Sequence, residues 1–425
     1  MILNGLIYNQ YLRILKEELI PAMGCTEPIA VAYLASFTRD LLKKEPKKIE
    51  IKVSGNVLKN VKSVIVPNTD KLKGIEAAIA IGIVAGKTEK KLEVIEDVSD
   101  DKRQEVNEFL KTHEIKVSLS DSNYIFDLDL TLSNGDDIAR ARIVNYHTNI
   151  VYASINNEII IDNEIVDIKE DVCDKTCLNV ESIFEFANIA RIEDVKDILD
   201  PQIKYNMEIA KEGIKNDYGA NIGKVLLATY GNDPKIKAKA YAAAASDARM
   251  NGCDMPVIIV SGSGNQGITA SVPVIVWARE NGYSDEELYR ALLISDLVTI
   301  HQKSGIGRLS AFCGATSAGV GSGAGIAYLE TKDLKTVCHT IVNALGIISG
   351  MVCDGAKASC AAKIQSAVDA GILGYYMFVN HQEFRGGDGL TLKGVENTIS
   401  NISRLAKDGM RETDKEIIKM MVKKC

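Results

Sequence analysis

The spacing of apolar residues changes character twice along this chain, and that double change constrains the fold more than any other feature. Residues 5–19 place apolar and charged residues at helical spacing until Pro21 stops the pattern, and Ile29–Leu42 resumes it. From Lys48 the period falls towards two. IEIKVSG and VKSVIVP read as strands, GIEAAIAIGIVAG as a helix, KLEVIEDV as a strand and DDKRQEVNEFLKTH as a helix. IKVSLS, YIFDLDLTL, DIARARIVNYHTNIVYASI and EIIIDNEIV then alternate, bounded by Ser-Asn-Gly-Asp and Asn-Asn turns. After Val180 the strand signal fades. Helical text continues to the C-terminus, interrupted by Gly-rich stretches at 261–267, 304–307, 314–325 and 386–389. The expected fold class is therefore α+β. A mostly helical domain is built from residues 1–45 plus 180–425, and residues 46–179 form an inserted α+β domain containing an antiparallel sheet. No internal repeat or low-complexity linker is evident.

The chain's 425 residues can bury a large core, and a net charge of −7 implies no basic face for nucleic acid. The N-terminus carries Arg13, Lys16, Glu17 and Glu18 among its apolar residues, so it has neither signal-peptide nor membrane-span form. The expectation is a cytoplasmic protein with no nucleic-acid or membrane partner; a homodimer stays open. Nine cysteines, an odd number without a secretion signal, point to reduced thiols rather than a disulfide framework.

Three of those cysteines carry the chemistry. Cys313 opens the small-residue run GATSAGVGSGAG, while Cys353 and Cys360 flank DGAKAS. Three thiolates without a fourth suit an iron–sulfur cluster that leaves one iron open, although any single one could be an ordinary small core residue. A turn at Asp354-Gly355, with a helix starting near Ala356, would bring Cys353 and Cys360 together beside a helix N-terminus. Cys25 sits between Pro21 and Pro28 beside Glu27, where it could be a base, a nucleophile, a fourth ligand or a buried loop cysteine. The Ser261–Gly267 turn leads into a helix and offers free N–H groups to a carboxylate, with Ser263, Asn265, Gln266 and Gly267 as the candidate substrate contacts. Lys303 and Arg308 could bind a substrate carboxylate, and His301 or Lys303 could move a proton. Cys173 and Cys177 lack a zinc-site partner pair, Cys253 and Cys338 read as core, and Cys425 reads as a tail thiol.

PAMGCTEP around Cys25, SGSGNQGITASVPV at 261–274, GRLSAFCGATSAGVGSGAG at 307–325 and MVCDGAKASC at 351–360 together resemble the L-cysteine desulfidase family. That family is related to the iron–sulfur L-serine dehydratases. The resemblance implies elimination of L-cysteine to pyruvate, ammonia and hydrogen sulfide by an oxygen-sensitive enzyme with a [4Fe–4S] cluster and no pyridoxal phosphate. Carried onto this sequence, it makes Cys313, Cys353 and Cys360 the cluster ligands. Cys25 is the expected proton-handling residue or transient ligand, with Lys303 as its competitor. The close Cys353–Cys360 spacing and the lack of a Ser-Ser-His-Thr loop favour the desulfidase over a serine dehydratase. A pyridoxal-phosphate lyase and a non-enzymatic iron–sulfur sensor are the more distant rivals.

Overall fold

The computed structural model describes residues 5–24, 26–165, 173–307 and 310–422. The first helix, Gly5–Glu18, ends ahead of Pro21, and Pro21–Met23 forms the short strand β1. The helix Thr26–Leu42 follows. A six-stranded sheet then forms from β2 (Lys48–Val53), β3 (Ile115–Leu119), β4 (Asp127–Asn134), β5 (Asp137–Val144), β6 (Ile150–Ile155) and β7 (Glu158–Asp162), in the order β3-β2-β4-β5-β6-β7.

The sheet is mixed rather than purely antiparallel, because β2 and β3 run parallel. A parallel pair needs a long crossover, and residues 54–114 supply it with the helices Gly55–Val61, Gly74–Ala85 and Asp100–Thr112. Two expected strands fall inside that crossover and do not form. VKSVIVP makes a single bridge, Ile65 to Lys73, and KLEVIEDV starts in the 3-10 turn Thr88–Glu93 and continues as irregular turns. Both still bury their apolar side chains, Val64 and Val66 in one and Val94 and Ile95 in the other, so the alternation reflected burial without a pairing partner. The expected turns hold. Gly135 takes a positive φ of 64° between β4 and β5, and Asn156 and Asn157 take 50° and 69° between β6 and β7, as a primed hairpin turn requires.

Two hydrophobic cores result. One joins the sheet to the helices Thr26–Leu42 and Gly74–Ala85, with Leu34, Ile51, Ile79 and Leu130 at its centre. The other gathers the first helix, through Tyr11, Ile14 and Leu15, with side chains from Phe186 to Met410. Thr26–Leu42 thus packs on the sheet, although its helical text resembles that of its N-terminal neighbour. The helical part runs through Val180–Ile189, Ile192–Lys215, Ile222–Tyr230 and Pro234–Met250 to the strand β8 (Pro256–Ile258). It continues through Gly264–Glu280, Asp285–Ile306, Gly314–Thr331, Leu334–Ile348, Cys360–Val379, Val395–Arg404 and Arg411–Val422. β8 pairs antiparallel with β1, and the buried Asn206 amide clasps its end, accepting from the Ile258 N–H at 2.8 Å and donating to the Ile258 carbonyl at 3.2 Å. Among the described residues no helix is long and apolar enough to cross a membrane.

The small-residue run after Cys313 has a packing reason. A Cβ at Gly319 would strike the backbone of Ala367, one at Gly323 would meet Gly371, and one at Gly321 would strike Thr299. These glycines let the helices Gly314–Thr331, Cys360–Val379 and Asp285–Ile306 approach closely.

Candidate active site

β8 delivers the chain into a tight turn at Val260–Ser263, where Ser261 and Gly262 both adopt positive φ, 48° and 77°. The turn aims the N-terminus of Gly264–Glu280 at a cavity of about 150 Å³. Ser263 caps that helix by accepting from the Gln266 N–H, and Ser263, Asn265 and Gln266 line the cavity. Gly267 does not line it. A Cβ there would strike the Ile258 carbonyl, so this glycine is needed to seat the helix on β8.

Cys313, Cys353 and Cys360 line the same cavity. Two of their segments are stitched together, since the Cys313 N–H donates to the Met351 carbonyl at 2.9 Å and the Cys353 N–H to the Ala311 carbonyl at 2.6 Å. The helix expected to begin near Ala356 begins at Cys360 itself, and Leu334–Ile348 ends well before Cys353. Cys313 is the N-cap of Gly314–Thr331, so two of the three thiols stand at helix N-termini, where backbone dipoles favour a thiolate. Asp354 fastens the intervening turn by pairing with Lys357 at 2.5 Å and with Lys363, whose Nζ also donates to the Val352 carbonyl at 2.8 Å. Gly355 fits under the Lys59 carbonyl, where a Cβ has no room. Burial, reinforced by the charge a neighbouring Cys353 thiolate would carry, pushes the Cys313 thiol up to about 12; burial also raises Cys360. These thiols therefore rest neutral unless a metal holds them deprotonated.

Among the described residues no three His, Cys, Asp or Glu side chains converge closely enough for one metal ion. A polynuclear cluster takes its thiolates on separate irons, so its ligands stand around a cavity rather than at one point. Three cysteines on the wall of one cavity, two at helix starts, fit that requirement.

The remaining lining is charged and incompletely paired. The Lys303 ammonium has no hydrogen-bond or ion-pair partner among the described residues; the residue is 6 % exposed, and burial lowers its pKa to about 8. Arg249, 7 % exposed, donates to the Gly24 carbonyl at 2.8 Å and to Asn265 Oδ1 at 3.2 Å, and meets no carboxylate among the described residues. Gln266 Oε1 is buried without a donor among the described residues. Thr26 and Glu27 close one side, where Glu27 accepts from Asn60 at 3.1 Å. Lys59 also lines the cavity but is neutralised by Asp414 at 2.6 Å. A second, adjoining cavity of about 480 Å³ shares Ser261 and Lys303.

Of the residues singled out from sequence, Ser263, Asn265, Gln266, Lys303, Cys313, Cys353 and Cys360 come together here. His301 does not. It pairs with Glu396 at 2.7 Å, which also accepts from the Val180 N–H, and so ties two helices together. Cys25, Arg308 and Cys425 lie outside the described residues. Arg249 and Lys59 were missed. The signal for Arg249 was a lone guanidinium at the end of the Ala-rich helix Pro234–Met250, whose buried face is mostly alanine.

The chain is 57% identical over 419 residues to a UPF0597 protein of Desulfitobacterium hafniense, covering 98% of this chain and 97% of that one. It is 45% identical to a UPF0597 protein of Lachnoclostridium phytofermentans, covering 98% and 100%, and 49% identical to one of Finegoldia magna, again over 98% and 100%. The family model described as "Serine dehydratase alpha chain" matches residues 89–419, which run from the 3-10 turn Thr88–Glu93 into the last helix and include all three cavity cysteines. With that match over most of its length, the chain belongs to the serine dehydratase alpha-chain family.

Proposed function

We propose that this protein is an iron–sulfur lyase that eliminates sulfide from L-cysteine, yielding pyruvate, ammonia and hydrogen sulfide. The observation that carries the reading is the convergence of Cys313, Cys353 and Cys360 on a cavity whose other walls hold Arg249, Lys303 and the N-terminus of Gly264–Glu280. The three cysteines would hold a [4Fe–4S] cluster. When bound, its open iron supplies a Lewis acid for a soft leaving group.

The chain's own groups perform the rest. The Ser263–Gln266 turn holds the substrate through backbone N–H groups and the Asn265 amide. Lys303, whose ammonium burial weakens, takes the Cα proton as the Cβ–S bond breaks and a Cα=Cβ bond forms. The sulfur leaves with the bonding electron pair. Its own thiol proton and the one taken by Lys303 make it hydrogen sulfide. The resulting aminoacrylate tautomerises and adds water to give pyruvate and ammonia.

L-serine is the second reading, favoured by the family's name, and it would release water where L-cysteine releases sulfide. The test is anaerobic reconstitution followed by iron and acid-labile sulfide analysis and separate assays with each amino acid. About four irons per chain, with sulfide and pyruvate formed equally from L-cysteine and a smaller rate from L-serine, is the expected result. Pyruvate from L-serine alone would replace cysteine by serine, and turnover by an iron-free protein would remove the cluster.

A further inference from the structure

We propose that Arg249 is the anchor for the substrate's carboxylate, and that it restricts the site to α-amino acids carrying a free carboxylate. The inference rests on the elimination reading above but asks a different question of the same cavity: what fixes the end of the substrate that does not react.

Burying a guanidinium without a counter-ion is costly, and proteins almost always place a carboxylate beside one. Arg249 is more than nine-tenths buried, and no Asp or Glu among the described residues pairs with it. Its two recorded bonds go to neutral oxygens, the Gly24 carbonyl and Asn265 Oδ1, and its Nε is buried with no acceptor among the described residues. Charge is therefore left over, and it borders a cavity.

The surroundings hold that guanidinium in place. Gly264 lies flat against it, and a Cβ there would strike Nε. The same glycine begins the helix Gly264–Glu280, so the guanidinium and the positive end of a helix dipole meet at one corner. Asn265 Oδ1 is occupied twice, by Arg249 and by Ser246 at 3.3 Å, and its amide nitrogen has no acceptor among the described residues. A guanidinium, an amide nitrogen with free hydrogens and a helix N-terminus form one donor set, and a carboxylate is the ligand class with matching geometry and charge. Lys59 shows the contrast on the same wall, since Asp414 already neutralises it.

The experiment compares L-alanine, which has a carboxylate but no leaving group, with L-alaninamide, in which that charge is gone. Calorimetric binding to the anaerobic wild-type protein is expected to favour L-alanine by about 10- to 100-fold. In Arg249→Gln the preference is expected to vanish, with iron content unchanged. Should that variant fail to fold, Arg249→Lys keeps the charge but loses the planar fork, and the preference is expected to fall about tenfold. Equal binding of the two ligands by the wild type, or an intact preference in either folded variant, overturns the proposal. The two readings fail separately. A preserved alanine preference with no elimination activity would sink the lyase while leaving the anchor standing, and elimination that survives in Arg249→Gln with an unaltered preference would do the reverse.

Discussion

The sheet core and the helical cavity both bury charge, but they treat it in opposite ways. In the sheet, Asp127 is fully buried and every demand on it is met. Arg142 donates through Nε at 2.8 Å and Nη2 at 3.0 Å, Ser120 donates at 2.7 Å, and Ser122 completes the set. Burial works to raise that carboxyl, yet the bonds from Arg142, Ser122 and Ser120 hold it below the usual carboxylate range. In the cavity Arg249 and Lys303 lack carboxylate partners among the described residues, and Gln266 Oε1 has no donor there. A satisfied polar cluster specifies a fold, whereas an unsatisfied one keeps its interactions in reserve for something that binds.

The comparison breaks most visibly at the cysteines. Replacing Cys313, Cys353 or Cys360 with Ala is expected to reduce elimination to background and to remove most of the iron, read by visible absorption and iron analysis of the anaerobic protein. A variant that keeps both its iron and its turnover would show that the thiol is only core filling.

Lys303→Met sharpens the contrast next. Loss of the proton-handling amine is expected to lower kcat by about 10²- to 10⁴-fold. Because the substitution removes a buried charge without a partner, the thermal midpoint should stay level or rise. A drop in the midpoint with kcat intact would place Lys303 in the scaffold.

Arg142→Met should do the reverse. It strands Asp127, so a loss of about 3–5 kcal/mol in stability is expected at pH 7, with KM for L-cysteine unchanged. The sign with pH follows from the lowered carboxyl. Its stabilising contribution is present above the ordinary carboxylate value near about 4 and is lost as pH falls below it, so the gap between variant and wild type should narrow in acid. Urea titrations at several pH values measure this.

The smallest effect is expected at Asp296, which is fully buried, accepts from Gln202 at 3.0 Å and is pushed up to about 7 by burial. A carboxyl raised this way costs stability as pH climbs from its unfolded value towards 7, because only the unfolded chain then gains by ionising. Asp296→Asn should therefore gain stability over wild type as pH rises towards 8, with the difference closing near about pH 4. An equal difference at both pH values would mean that folding leaves the Asp296 pKa unshifted.

The sequence made the helical and sheet-forming regions legible because periodicity reports which faces are apolar. Hairpin turns were equally readable, since Gly135 and the Asn156-Asn157 pair stand where positive φ is needed. Periodicity does not name a partner, however. It could not say that Thr26–Leu42 would pack on the sheet, that VKSVIVP would find no neighbouring strand, or that β2 and β3 would run parallel. At the site, the three cysteines and the Ser263–Gln266 turn were found because each sits beside Gly or other small residues. Arg249 was not found because its meaning is relational: only the fold shows that no acid stands beside it. His301 failed for the same reason in reverse, its partner Glu396 lying 95 residues further along the chain.

The ion pair between Lys59 and Asp414 has a consequence for biosynthesis. It draws the final helix, Arg411–Val422, onto the early helix Gly55–Val61, where Ile418 also packs over Gly55. The cavity thus borrows walls from residues 26 and 27, from the middle of the chain, and from a lysine whose charge is cancelled only by residue 414. A growing polypeptide cannot finish this chamber while its last helix is still being made. A chain truncated before Asp414 would carry all three cavity cysteines yet leave an extra positive charge at their door.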